Sequence, residues 1–386
     1  MSFRRATGFA GVPLDNSIPQ DEIDLTRRSR TNPFPWRGQF SPDLARLLLE
    51  YYAGAGAAVL DPFAGVGTTL MEAARLGRKA FGGEINPSAF TMAETVKFIE
   101  LAAHERRSKL DSARKLLSRA SDPKRLASVA KRHRGDPLTF NILANVLIRL
   151  EKATLEDSFA AHEAIVLDLP ESGGDHRVFN CDARSIPLAD RSIDLIVTSP
   201  PYINVFNYHQ NHRRAMELLC WDLLAVAKSE IGSNRKHRGN RFLTVVQYCL
   251  DMAEAFVEWR RVLRHDGLAV IVIGRESNVR GVSFRNGELV ADVARFAGYQ
   301  FEGRQERKFK NKFGEIIYED ILRLRKLSDA PRCPGEQARG VAGSALQAAF
   351  DATPDDGVRA DARSALDRLA IVMPSARYSR NAHLPR

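Results

Sequence analysis

The run Ile193-Asp194-Leu195-Ile196-Val197-Thr198-Ser199-Pro200-Pro201-Tyr202 decides how the rest of the chain is read. Its first half is apolar and β-branched, the pattern of a strand buried on both faces of a parallel sheet. Two prolines then end it. Proline has no N–H, fixes φ and pushes its predecessor towards extended geometry, so Ser199-Pro200-Pro201 must leave the sheet as a stiff arm. The arm lies at the carboxyl end of the strand, where ligands bind in open α/β sheets. It offers a hydroxyl, proline carbonyls that no helix can consume, and the flat ring of Tyr202. Those are the parts needed to hold a planar group that carries an NH2.

A second stretch, Asp61-Pro62-Phe63-Ala64-Gly65-Val66-Gly67-Thr68-Thr69-Leu70, follows a first strand expected at Ala57–Leu60. Gly65 and Gly67 allow a tight turn and a close approach of ligand to backbone. Thr68 or Thr69 is the expected cap of a helix reaching about Leu76, whose N-terminal N–H groups face the ligand. A dinucleotide-type Gly-x-Gly-x-x-Gly is not completed, because position 70 is Leu. A second strand, Lys79–Ile85, carries Glu84 at its end, where an acidic side chain can accept both hydroxyls of a ribose. A third, His176–Cys181, is followed by Asp182. Beyond the arm, a long amphipathic helix is expected at Val245–Leu263, with Val246, Leu250, Ala253, Phe256, Val257 and Val262 on its buried stripe. A strand at Leu268–Gly274, a helix at Gly287–Ala297 and a hairpin of Tyr299–Lys308 with Asp320–Lys326 complete the sheet.

The 386 residues carry 57 Lys/Arg and 47 Asp/Glu, and the excess is local. Between Leu101 and Gly135 there are eleven basic and three acidic side chains; the remainder, by difference, has 46 against 44. In this stretch Leu110, Ala113 and Leu117 share one helical stripe, with Arg107, Arg114, Lys115 and Arg119 largely off it. A basic, helical insertion is predicted, a patch suited to a polyanion. Arg106, Arg107, Arg114 and Lys115 are its candidate phosphate contacts, and Arg235, Lys236 and Arg238 those of a second basic loop. No run approaches 18 apolar residues, so no membrane span is expected. The four cysteines form no CxxC pair, which speaks against a metal site or a disulfide framework and fits a reducing cytoplasm.

Taken together, these stretches resemble the S-adenosylmethionine-dependent amino-methyltransferases, which methylate an exocyclic amine of a DNA base. The Ser-Pro-Pro-Tyr arm is similar to the catalytic loop of their cytosine-N4 branch; Asp-Pro-Pro-Tyr is more usual for adenine-N6. The string from Asp61 to Thr69 resembles the motif that cradles the methionine moiety of the cofactor. The resemblance implies that Asp61, Phe63, Gly65, Gly67, Thr68 and Thr69 line that cradle, that Glu84 takes the ribose, and that Asp182 takes the adenine amine. It further implies Ser199, Pro200, Pro201 and Tyr202 as the catalytic set, acting on a base flipped out of double-stranded DNA. The implied fold is α/β and Rossmann-like, a mainly parallel seven-stranded sheet with a helical basic insertion.

The expected organisation is an N-terminal arm (1–35), a catalytic domain (36–327) with its insertion at about 101–170, and a loosely structured tail (328–386) in which Arg363–Val372 is a candidate helix. The family implies a cytoplasmic protein of bacterial, archaeal or phage origin, with a cognate restriction endonuclease as a candidate partner. Its members carry a sizeable target-recognition region, and none is evident after the last strand here. The insertion and the loop 203–243 are the remaining candidates. Three alternatives stay open: adenine-N6 transfer, RNA guanine-N2 transfer, and a nucleic-acid-binding protein without catalysis.

Overall fold

The computed structural model describes residues 14–26, 29–36, 38–120, 122–203, 207–233, 237–310, 314–328 and 334–379. Two compact units are distinguished. The glycine-turn unit comprises Arg28–Asp182, Tyr208–Ala227 and Tyr378–Arg386; the proline-arm unit comprises Met1–Arg27, Ala183–Asn207 and Lys228–Arg377.

In the glycine-turn unit, β1 (Ala58–Asp61), β2 (Lys79–Gly83) and β3 (His176–Phe179) pair in parallel, with Ala58 opposite Lys79 and Ala80 opposite His176. All four residues of β1 are buried, as its apolar run requires. The crossover from β2 to β3 holds the insertion, and it is helical: Ala103–Leu117, Pro123–Arg132, Pro137–Arg149 and Leu155–Asp168. Local signals start these helices. Asp122, Asp136 and Thr154 accept from main-chain N–H groups three residues on, and Pro123 and Pro137 sit where no donor is needed. Leu110, Ala113 and Leu117 are buried, as are Leu126, Ala130, Ile142, Leu143 and Val146, so the insertion has a core of its own.

In the proline-arm unit, β4 (Ile193–Thr198) runs parallel to β5 (Leu263–Gly274), with Thr198 opposite Ile271. A separate hairpin is formed by β6 (Glu276–Val279) and β7 (Val282–Arg285). The longer hairpin of β8 (Tyr299–Lys310) and β9 (Ile316–Lys326) joins β5 antiparallel through β9. Strands β1 to β5, β8 and β9 belong to one seven-stranded, mainly parallel sheet, the Rossmann-like α/β class predicted.

Three details depart from expectation. The helix Leu243–Val262 runs straight into β5, because Leu263 already has extended geometry at φ −67°, ψ 139°. Val257, expected on the buried stripe, is 46% exposed. The larger correction concerns residues 328–386, which are not loosely structured where described: helices occupy Pro334–Ala352 and Asp356–Asp367. The first buries Ala338, Val341, Ala342, Leu346 and Ala349 and packs on Leu243–Val262. Small side chains let two helices approach closely, so a stripe of alanines serves as an interface here. After these helices, Ser375 is fixed by Asp251, whose carboxylate accepts from its N–H at 2.7 Å and its hydroxyl at 2.7 Å. Arg184 completes this cluster, pairing with Asp251 at 2.8 Å with both side chains wholly buried. Residues 14–26, part of the expected N-terminal arm, bury Ile18 and Ile23, and Leu14 bridges to Arg304 of β8.

Candidate active site

The turn after β1 is built by its own polar groups. Asp61 is buried; its Oδ1 accepts from Phe63 N at 3.1 Å and its Oδ2 from Thr69 Oγ1 at 2.7 Å. The threonines therefore do not cap the following helix, Thr68–Arg75, whose N-cap is Gly67 in the left-handed region at φ +85°. Thr69 is held back by the stronger acceptor, the carboxylate at the strand end. Gly67 is also crowded: a Cβ there would lie 3.1 Å from Ala93 Cα. At Gly65, φ is +52° and a Cβ would meet nothing within 4 Å, so conformation alone requires glycine and the turn's backbone is bare on that side.

Glu84 follows β2 and closes the turn. Its Oε2 accepts from Gly65 N at 2.9 Å and its Oε1 from Asn86 N at 2.7 Å. The close seat of this turn on β2 depends on two glycines that pattern reading passes over. A Cβ at Gly82 would come within 2.8 Å of Ala64 Cβ, and one at Gly83 within 3.3 Å of the Pro62 carbonyl oxygen. Asp182, after β3, is buried and accepts from Tyr378 N at 2.9 Å. Asp61, Phe63, Gly65, Gly67, Thr68, Thr69, Glu84 and Asp182 all belong to this unit, at the carboxyl ends of its three strands or on the turn and helix start that follow β1.

In the proline-arm unit, β4 ends at Thr198 and Ser199-Pro200-Pro201-Tyr202 continues without helix or strand. Ser199, Pro201 and Tyr202 are half-buried and Pro200 is buried. Tyr202 is seated by two further glycines. A Cβ at Gly274, the last residue of β5, would come within 2.6 Å of Tyr202 Cε2; one at Gly232, where φ is +73°, within 2.7 Å of the Tyr202 carbonyl oxygen. Asn286 is fully buried and donates to the Gly274 carbonyl at 2.9 Å, fixing the strand end beneath the ring. A glycine at a strand's end signals close approach to backbone in principle. Its partner, however, is far away in the sequence.

Among the candidate phosphate contacts, Arg107, Lys115 and Arg238 are exposed. Arg114 is also exposed and is shared with Glu163, at 2.8 Å, and with the ring of Phe159. Arg106 requires correction: it is 2% exposed and cannot meet a phosphate. Its guanidinium donates to the carbonyls of Leu101 (2.9 Å), Leu169 (2.5 Å) and Pro170 (2.7 Å). The cause is its place on the same helical stripe as Leu110, Ala113 and Leu117. Arg235 and Lys236 lie outside the described residues.

Residues 13–95 match the N6/N4 methyltransferase family model, described as DNA methylase. The chain is 28% identical over 130 residues to the Type II methyltransferase M.MjaII of Methanocaldococcus jannaschii, a match covering 34% of this chain and 23% of that protein's length. A SAM-dependent methyltransferase from Methanosarcina mazei is 14% identical, covering 73% of this chain and 98% of its own, with a TM-score of 0.35. An rRNA methyltransferase of Streptomyces viridochromogenes is 12% identical, covering 80% and 94%, with a TM-score of 0.34. Residues 13–95, which include the glycine turn and Glu84, are thus the part of the chain that is similar to DNA methylases of the N6/N4 family.

Proposed function

We propose that this protein transfers a methyl group from S-adenosylmethionine to an exocyclic amine of a DNA base, the N4 amine of cytosine in particular. The observation that carries the reading is the turn Asp61–Thr69 closed by Glu84 on Gly65 N, inside the segment that matches the DNA methylase family. The cradle suits the cofactor: bare backbone at Gly65, an acceptor carboxylate at the end of β2, and another after β3. The bound cofactor supplies an electrophilic sulfonium methyl. Glu84 then takes the ribose hydroxyls and Asp182 the adenine amine.

The nucleophile is the difficulty. Its lone pair is delocalised into the base, so the nitrogen must become more tetrahedral before it can attack. Acceptors aimed at its two N–H bonds favour that developing form. Ser199 Oγ and the Pro200 carbonyl serve as those acceptors, and Pro201 stiffens the arm that carries them. Tyr202 stacks on the flipped base, a contact of about 1–3 kcal/mol. Serine is a weaker acceptor than aspartate, so alignment supplies most of the acceleration. Arg107, Arg114, Lys115 and Arg238 neutralise phosphates and leave sequence reading to other groups.

Transfer of tritiated methyl to DNA and to RNA, followed by nucleoside analysis, tests the reading. N4-methylcytosine from DNA is the expected product. N6-methyladenine moves the assignment to the adenine branch, and labelled guanine from RNA moves it to another polymer. Nucleic-acid binding with no label in any nucleoside replaces the enzyme by a binding protein.

A further inference from the structure

Within the glycine-turn unit, Tyr378 is built into the ends of β2 and β3. It is 6% exposed; its phenol donates to Asn180 Oδ1 at 2.7 Å and its main-chain N–H to Asp182 Oδ2 at 2.9 Å. Asn180 passes the constraint on, because its Nδ2 donates to Glu84 O at 2.8 Å and to Ile85 O at 3.3 Å. One tyrosine from the end of the chain thereby fixes the carboxylate after β3 and, through an amide, the main chain that bears Glu84. Directed bonds of this kind orient a polar group that touches ligand.

We propose that Tyr378 is a positioning residue of a nucleoside pocket, holding Asp182 so that an adenosyl group is preferred over a nucleoside without its 6-amino group. The proposal rests on the assignment of S-adenosylmethionine to the glycine turn. An ionised carboxylate only accepts hydrogen bonds. It favours an amine at its face and disfavours a carbonyl oxygen there, provided its plane is fixed. The N–H of Tyr378 fixes that plane at Oδ2, and its phenol fixes Asn180 alongside. Removing Tyr378 releases the carboxylate, and discrimination falls before binding is abolished.

The test titrates S-adenosylhomocysteine and its inosyl analogue, in which oxygen replaces the 6-amino group, into the full chain by calorimetry. The same titrations are made on Tyr378→Phe and on a chain ending at Arg377. The full chain is expected to prefer the adenosyl ligand. Tyr378→Phe, which keeps the main-chain bond and loses one buried hydrogen bond, weakens that ligand about three- to tenfold. The shortened chain loses about tenfold or more of the adenosyl-over-inosyl preference while DNA affinity is unchanged, a split that a merely structural role would not produce. Unaltered affinity and preference in Tyr378→Phe and the shortened chain overturn the proposal, as does tighter binding after shortening. If the shortened chain does not fold, the ligand preference of Tyr378→Phe decides the matter: a lowered adenosyl-over-inosyl ratio supports the proposal, and equal weakening of both ligands or no change overturns it. If the full chain binds neither ligand, the cofactor assignment itself fails; if it binds well but ignores Tyr378, only this inference fails.

Discussion

The ring of Tyr202 rests on the bare backbone of Gly274: a Cβ added there would stand 2.6 Å from Cε2 and 3.1 Å from Cζ. Asn286, donating to the Gly274 carbonyl at 2.9 Å, prevents the strand end from yielding, so the ring must move instead. Gly274→Ala is expected to lower kcat for methyl transfer about ten- to a hundredfold, the scale of a reacting group misplaced by about 1 Å. The overpacking costs about 1–3 kcal/mol of stability. Steady-state transfer beside a thermal melt checks both. An alanine variant with full kcat would show that the seat of this ring has no bearing on transfer.

Gly232→Ala attacks the same residue from its backbone. The added methyl meets the Tyr202 carbonyl oxygen at 2.7 Å, and φ at 232 is +73°. Left-handed geometry costs a residue with a Cβ about 1–2 kcal/mol, and the obstructing atom is backbone that cannot rotate aside. A larger fall in the urea midpoint than for Gly274→Ala is expected, together with reduced kcat. A midpoint equal to that of the unaltered chain would contradict the clamp.

The two neighbouring arginines of the insertion separate stability from binding. Arg106→Gln withdraws a buried guanidinium from the carbonyls of Leu101, Leu169 and Pro170 and is expected to cost about 3 kcal/mol or more. Arg107→Gln with Lys115→Gln, both exposed, leaves the melting temperature within a degree or two. It also lowers the slope of log affinity for DNA against log salt by about 2. Equal salt slopes for the double variant and the unaltered chain would remove this face from the DNA contact.

What the sequence discloses and what it hides follow from the range of each interaction. The strand before Ser199 and the turn at Gly65 and Gly67 are local: β-branched runs, prolines and glycines act on their immediate neighbours. The position of Glu84, as the acid that follows a strand, is legible for the same reason. Composition counts Arg106 as one more basic charge, whereas its position on the stripe of Leu110, Ala113 and Leu117 sets its burial. The helix Pro334–Ala352 leaves little trace in the sequence because its buried face is mostly alanine, which lacks the bulk that marks a hydrophobic period. Gly232, Gly274 and Tyr378 were invisible in a stronger sense. Their partners, Tyr202 for the glycines and Asn180 and Asp182 for the tyrosine, are remote in sequence, and no local pattern encodes the meeting.

His162 makes stability depend on acid. It is fully buried in Leu155–Asp168, and among the described residues neither ring nitrogen has a hydrogen-bond partner. Burial, and then the charge of Arg149, push its pKa from 6.5 down to about 3. The folded value lies below the unfolded one, so the unfolded chain takes up a proton that the folded chain refuses. This group's penalty is therefore absent above pH 6.5 and grows as pH falls towards 3, by at most about 1.4 kcal/mol per pH unit. Between about pH 7 and pH 5.5 ordinary carboxylates hardly titrate and histidines do, so the difference between the unaltered chain and a variant without His162 isolates the effect. His162→Leu removes an unsatisfied buried imidazole and keeps an apolar side chain in its place. The urea midpoint of the unaltered chain is expected to fall across that window more steeply than that of the variant. Parallel declines in the two proteins would assign the acid sensitivity to other groups.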